Sequence, residues 1–395
     1  MAMTQRNPGL FGGNRFKLGV FACNVSGGLA LVDVPERWDA SWDNNLAVAK
    51  MADTAGIECL VPLQRWKGYG GKSNVNLYSF ESLTWASGLL AHTSHISVFA
   101  TVHSALVHPV FAAKQAVTAD MIGGGRFGLN LVPGSNADEF RMFGAELGDH
   151  PDRYAMAQEW WDVVRRVWSG EEYFDHDGTY FKLQGVIGRP RPYGDQNPPM
   201  MNAGASPVGR AFALRNSDLH FDFCIRPEDS APRIRESKAQ AGRPELQVWA
   251  PIAVVCRPTQ AEVNAYLQHC IENADWGAID KRESSMLAPK GSKSQTPEQV
   301  AQIRAHEQAR AAIGRSHYAL FGTPDMVAKE LARLSEAGFD GVAIGFVNYR
   351  QELPYFVQEV IPRLERMGLR RPVPTVRLAS YEDPAQADNL VRHRR

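Results

Sequence analysis

The sequence predicts a single large α/β domain closed as a (β/α)8 TIM barrel. Three observations carry that reading. Eight short apolar, β-branched runs recur along the chain, a helix-like stretch follows each, and no long structureless linker interrupts the series. A doubly wound sheet is the alternative, and the unbroken run of strand–helix units favours closure.

The strand runs span residues 16–22, 59–63, 96–102, 126–132, 199–203, 219–225, 248–256 and 341–347. Helices are expected over 44–55, 80–92, 109–122, 154–168, 207–216, 229–241, 259–273, 323–338 and 353–367. In 323–338 the apolar Val327, Leu331 and Leu334 recur at helical spacing, Thr323 can cap the start and Gly338 can end it. Pro109 stands at the first-turn position that proline favours.

Two insertions interrupt the units. Residues 171–199 hold a hairpin, 173–175 against 180–183 about Asp177-Gly178, and then a proline-rich run over 189–199. Residues 275–320 are charged and helix-prone, with 290–294 as a flexible stretch, and their place after a late strand suits a lid over the catalytic face. The barrel domain is expected over 16–368, after an N-terminal extension (1–15) and before a C-terminal tail (369–395), an arm on a partner subunit or a disordered segment.

Composition narrows the function. The 395 residues carry 43 basic and 43 acidic side chains, which removes the electrostatic footprint of a nucleic-acid or membrane-surface binder. Cys23, Cys59, Cys224, Cys256 and Cys270 form no CxxC pair and read as buried thiols of a reducing compartment. No long apolar run or charged-then-apolar leader stands out, so a cytoplasmic enzyme is expected.

Residues 123–128 spell GxGxxG, but they follow a helix and open a strand, the reverse of a dinucleotide fingerprint. They read as a helix stop. His103 and His108 frame the loop after the third strand; no carboxylate completes a ligand set, so no metal is expected and a hydrogen-bonding role fits better. Asn130 ends the fourth strand and Thr101 holds the matching place on the third, where polar side chains can face the barrel mouth. A buried amide there must find partners. Arg153-Tyr154 opens one helix and Ala203-Gly-Ala-Ser206 precedes another, so an arginine fork and free N–H groups could grip one phosphate from two sides. No GxSxG, P-loop or paired-carboxylate arrangement is present. Bottom-up, the chain is a barrel that binds a phosphorylated cofactor.

At these residues the chain resembles the bacterial-luciferase-like flavin-dependent monooxygenases, nearest the branch of the dimethylsulfone and pyrimidine monooxygenases. The resemblance runs over about residues 16–368 through an ordered series: Asn24-Val-Ser-Gly-Gly-Leu29, Gly68-Tyr-Gly-Gly71, His108-Pro109, Ala113-Lys-Gln115, Gly124 to Gly134, Asp152-Arg-Tyr154, Ala203-Gly-Ala-Ser206 and Gly322-Thr-Pro-Asp325. It implies a two-component enzyme: reduced FMN (FMNH2) supplied by a separate NAD(P)H:flavin reductase, with O2 as co-substrate and a flavin (hydro)peroxide as oxygenating species.

By position, the resemblance assigns Arg153, Tyr154, Gly204 and Ser206 to the FMN phosphate, Asn130 and Glu139 to the flavin, and Gln64 with Arg65 to its ring. Thr101 and Asn130 match a catalytic pair that seats oxygen beside flavin N5; an N5-peroxide and a C4a-hydroperoxide both stay open. From loop position alone, Tyr69, His103 and His108 are candidate substrate contacts. Pro251 and Ala253 stand where related sulfonate enzymes carry an arginine and a histidine, so a small neutral organosulfur or N-heterocyclic substrate is expected. Ser135 replaces a branch tryptophan and Arg65 a lysine. A homodimer or homotetramer is expected. The alternatives are a deazaflavin (F420)-dependent oxidoreductase and a flavin-binding paralogue without turnover.

Overall fold

The computed structural model describes residue 7 and residues 9–170, 172–283, 297–314 and 317–373. β1 (Lys17–Phe21) is followed by α1 (Trp42–Thr54), β2 (Cys59–Val61) by α2 (Ser82–Ala91), and β3 (Ser97–His103) by α3 (Pro109–Gly123). After β4 (Phe127–Val132) come α4 (Ala137–Met142), α5 (His150–Ser169) and the hairpin β5 (Phe174–Asp177) and β6 (Lys182–Val186). β7 (Met200–Asn202) leads to α6 (Pro207–Asn216), β8 (Leu219–Phe221) to α7 (Pro227–Ala241), and β9 (Gln247–Cys256) to α8 (Gln260–Glu272). Then follow α9 (Trp276–Glu283), α10 (Pro297–Gly314), β10 (Tyr318–Gly322), α11 (Pro324–Glu336), β11 (Gly341–Gly345), α12 (Tyr349–Glu359) and α13 (Ile361–Arg366).

Each of the eight expected runs supplies a barrel strand. β1, β2, β3, β4, β7, β8, β9 and β11 pair in that order, all parallel, and β11 returns to β1 to close the ring. Parallel closure of this kind is the TIM barrel. Side chains alternate across the wall. Phe21, Phe99, Met201, Leu219, Phe221, Trp249 and Ala343 form one buried cluster inside the ring, whereas Val98, Ala100, Leu129 and Val248 join the larger layer with the helices. Leu10 plugs the inner cluster and accepts a hydrogen bond from Gln247 through its carbonyl (3.2 Å).

Glycines 124 and 125 end α3 with positive φ, so the GxGxxG letters are the helix stop that strand order demanded. The hairpin forms where expected, and Glu159 of α5 holds its turn by accepting from the backbone N–H of Thr179, Tyr180 and Phe181. All five cysteines are buried and free.

The structure corrects the second insertion. Ala309, Ala311, Ala312 and Ile313 of α10 are packed into the protein, and the insertion's last residues, 318–320, open β10, a ninth parallel strand. β9 is long enough to serve two neighbours on one edge. β8 pairs with it up to Trp249 and β10 takes over from Ile252, both opposite β11. The expected flexible stretch 290–294 and the tail from residue 374 lie outside the described residues. The helix expected over 353–367 is two helices broken at Val360. Pro362 has no N–H to continue the ladder and sits in the first turn of α13 instead.

Candidate functional site

Strand alternation sends Phe99, Thr101 and His103 of β3 to the same face, and the register sets Thr101 directly beside Asn130 of β4. The Asn130 amide donates to the Thr101 hydroxyl (3.0 Å), and that hydroxyl donates its only proton to the Pro62 carbonyl (2.7 Å). Thr101 can therefore only accept from Asn130, which fixes the amide orientation. Among the described residues, Asn130 Oδ1 is left buried without a hydrogen-bond partner.

The loop after β2 is fastened beside this pair. Gln64 accepts from Ser82 N–H (3.2 Å), and the Ser82 hydroxyl donates to the Thr101 carbonyl (2.7 Å). Asn24, after β1, bonds both backbone groups of Leu63. Glu139 of α4 is buried and accepts from Trp66 and Lys67 N–H (3.0 and 3.2 Å), with Arg65 Nε 3.5 Å away. The Arg65 guanidinium lies over the Tyr69 ring at 4.7 Å. His103 is buried edge-on to Phe140; burial, and after it the Arg65 charge, push it down to about 4, so the ring is neutral.

A second centre forms where α5 and α6 begin. Ser206 caps α6 by accepting from Gly209 N–H (3.1 Å), and its hydroxyl lies 3.3 Å from His150 Nε2. Tyr154 is buried between His150 and Phe212, with its hydroxyl over Gly209. Burial raises the Tyr154 phenol, which stays protonated. A Cβ on Gly204 would stand 2.2 Å from the Gly209 carbonyl, so only glycine lets this loop approach the helix start so closely. Arg153 donates to the Gly134 carbonyl, which ties the second centre to the loop after β4.

The expected residues thus fall into two linked groups. Gln64, Arg65, Tyr69, Thr101, His103, Asn130 and Glu139 gather at the ends of β2 to β4; Arg153, Tyr154, Gly204 and Ser206 gather at α5 and α6. His108 joins neither: it is exposed at the start of α3, edge-on to Phe181 of the hairpin. Sequence reasoning missed Asn202 and His220. Asn202 donates to Leu131 O (2.6 Å) and accepts from Gly204 N–H (2.8 Å), and His220 Nε2 lies 3.2 Å from Gly204 O. A buried Asn ending a strand was the available signal, the same one that marked Asn130.

Comparisons with known proteins place the chain in a family. A family model described as luciferase-like monooxygenase matches residues 16–341. The chain belongs to the luciferase-like monooxygenase family. It is 28% identical over 362 residues to an FMNH2-dependent dimethylsulfone monooxygenase of Pseudomonas fluorescens (strain Pf0-1), covering 89% of this chain and 95% of that one. It is 27% identical over 368 residues to the pyrimidine monooxygenase RutA of Variovorax paradoxus (strain S110), covering 91% and 97%. Among solved structures, riboflavin lyase with modified FMN and riboflavin superposes with a TM-score of 0.78 at 22% identity, over 94% of this chain and 97% of that one. An F420-dependent secondary alcohol dehydrogenase shares the fold at a TM-score of 0.63 and 19% identity, over 89% and 99%.

As a luciferase-like monooxygenase the chain is a flavin-dependent enzyme, and its own residues fit such a cofactor. Nine buried side-chain atoms lack a hydrogen-bond partner among the described residues, and seven of them belong to Arg65, Trp66, His103, Ser104, Asn130, Arg153 and His220. Buried polar atoms are normally satisfied, so their concentration on one barrel face marks where a polar ligand belongs. The unpartnered Asn130 oxygen suits an N–H donor, such as a reduced flavin offers. The Arg153 fork and the α6 N-terminus suit a phosphate.

Proposed function

We propose that the chain is the oxygenase of a two-component system: it takes reduced FMN from a separate NAD(P)H:flavin reductase and uses O2 to oxygenate and cleave a small uncharged organosulfur or N-heterocyclic compound. The observation that carries the reading is the Thr101–Asn130 pair, whose buried acceptor oxygen lacks a protein partner.

When bound, reduced FMN supplies the electrons with which dioxygen is activated. The chain's own residues do the rest. Arg153, Tyr154 and Ser206 bind the phosphate at the start of α6. Glu139 holds the Gln64–Lys67 loop in place, so that Gln64 and Arg65 flank the ring. Asn130 orients an N–H group through Oδ1, and Thr101 keeps the amide from turning. His103 is neutral and adds no acid at the mouth, and the inner cluster excludes water below it. Pro251 and the fully buried Ala253 leave the seventh strand without a charge for an anionic substrate, and Ala253 lies against Gly314 at the end of α10.

Titration with FMN, reduced FMN and F420 tests the cofactor. Reduced FMN should bind tightest, and a substrate panel run with FMN, NADH and a generic flavin reductase should then yield an oxygenated product by mass spectrometry. A preference for F420, or flavin binding without oxygen-dependent turnover, overturns the proposal.

A further inference from the structure

The other half of the barrel mouth carries an aromatic surface that the Thr101–Asn130 chemistry does not use. Phe21 ends β1 and Phe221 ends β8, three steps apart along the wall through β11 and β9. Their rings nevertheless meet at 5.3 Å, edge to face, so the pair crosses the inside of the barrel and forms a floor. Above it, Phe223 stacks on His317 at 5.3 Å with the planes 16° apart, and His317 also reaches Phe21 at 6.4 Å.

This stack stands where β8 leaves the edge of β9 and β10 has not yet begun. Phe223 is 40% exposed, so part of its ring stays open to a ligand. It is not loose. Arg233 donates to the Phe223 carbonyl and, through Nε, to the Asp222 side-chain carboxylate (2.9 Å), so one side chain ties the backbone of Phe223 to its preceding neighbour. That clamp also pairs the nearest carboxylate with the guanidinium. The surface offered to a ligand is aromatic, and the guanidinium and the carboxylate beside it are paired with each other.

We propose that this surface is the substrate platform, and that it selects an uncharged compound bearing a planar ring, an N-heterocycle or an aryl sulfone, over a small aliphatic sulfone. The inference rests on the flavin-monooxygenase reading and narrows its substrate class. A flat ring gains offset stacking and edge-to-face contact against Phe223, His317 and Phe21, whereas two methyl groups cover a fraction of that area. An anion gains nothing, because Arg233 is already engaged.

Ligand-observed saturation-transfer NMR on the FMN-loaded protein tests this with 2-pyridone, methyl phenyl sulfone, dimethyl sulfone and benzenesulfonate as probes. The two neutral ring probes should bind about tenfold more tightly than dimethyl sulfone or benzenesulfonate, and Phe223→Ala should remove about that factor for the ring probes alone. His317→Ala provides a second variant should Phe223→Ala fold poorly. Equal binding of dimethyl sulfone, absence of ring-probe binding, or ring binding untouched by either variant overturns the platform. FMN affinity is measured on the same samples and the probes are repeated on flavin-free protein. Loss of FMN binding with the ring preference kept therefore sinks the cofactor reading and leaves the platform standing.

Discussion

The Asn130 amide donates to the Thr101 hydroxyl across the β3–β4 ladder at 3.0 Å, and that hydroxyl donates in turn to the Pro62 carbonyl at 2.7 Å. The second bond sets the direction of the first. It makes Asn130 Oδ1, rather than Nδ2, the atom without a protein partner. Asn130→Ala should lower product formed per reduced flavin consumed by about a hundredfold, the scale of losing one preorganised polar contact at a reacting centre. Thr101→Val should follow it in direction, because the amide is then free to turn. Oxygen uptake, hydrogen peroxide release and product, measured together, check both. Unchanged coupling in Asn130→Ala would sink its assigned role.

Arg153 and Ser206 should separate by what they do. Arg153→Met should weaken FMN binding by about 10- to 100-fold, as expected for a charge-assisted contact of about 1.5–3 kcal/mol, with little loss of stability. Ser206→Ala should cost both, because it also removes the cap of α6, about 1 kcal/mol. Gly204→Ala should do more damage than either, since its Cβ would press on the Gly209 carbonyl. Flavin titrations read beside thermal melts distinguish the three.

The barrel was legible from the chain because each strand run is apolar, short and bounded, and its helix carries its own stop. β10 was not. Its residues 318–322 follow a charged segment, and nothing local tells a short apolar run that it will share one edge of β9 with β8. The site was legible to the same depth. Thr101 and Asn130 are polar residues near the C-terminal ends of apolar core strands, and Ser206-Pro207 announces a helix start. Asn202 and His220 act by bonding Leu131 and Gly204, contacts made by β4 lying beside β7 and β7 beside β8. His108 shows the converse: loop position suggested the mouth, while the hairpin inserted after α5 supplies its actual neighbour, Phe181.

His103 gives the protein a pH dependence of known sign. Burial first, and the Arg65 charge second, hold it at about 4 against an ordinary 6.5. Between those values the unfolded chain takes up a proton that the folded protein does not, so stability is lost as pH falls through the window. The contribution should be about 2 kcal/mol between about pH 7 and about pH 5. His103→Gln should flatten the slope by that amount in urea denaturation at the two pH values. An unaltered slope would show that His103 is protonated or exposed in solution.

At the opposite end of the barrel, Glu58 and Arg370 form an ion pair at 2.8 Å with side chains only 1% and 2% exposed. Glu58 also accepts from Leu18 N–H (2.8 Å) and the Asn14 amide (2.5 Å), while Arg370 donates to the Phe16 and Gly56 carbonyls (3.2 and 2.7 Å). The pair therefore stitches the residues after α13 to the N-terminal ends of β1 and β2. Removing one partner strands the other charge in the interior, so Arg370→Met should cost about 3–5 kcal/mol. Removing both should cost less, because the double variant Glu58→Leu with Arg370→Met buries no orphan charge, although it still gives up four backbone and side-chain contacts. The sign of that difference in chemical denaturation is the test. A double variant no more stable than Arg370→Met alone would mean that the hydrogen bonds, not the charge pairing, hold this end of the barrel closed.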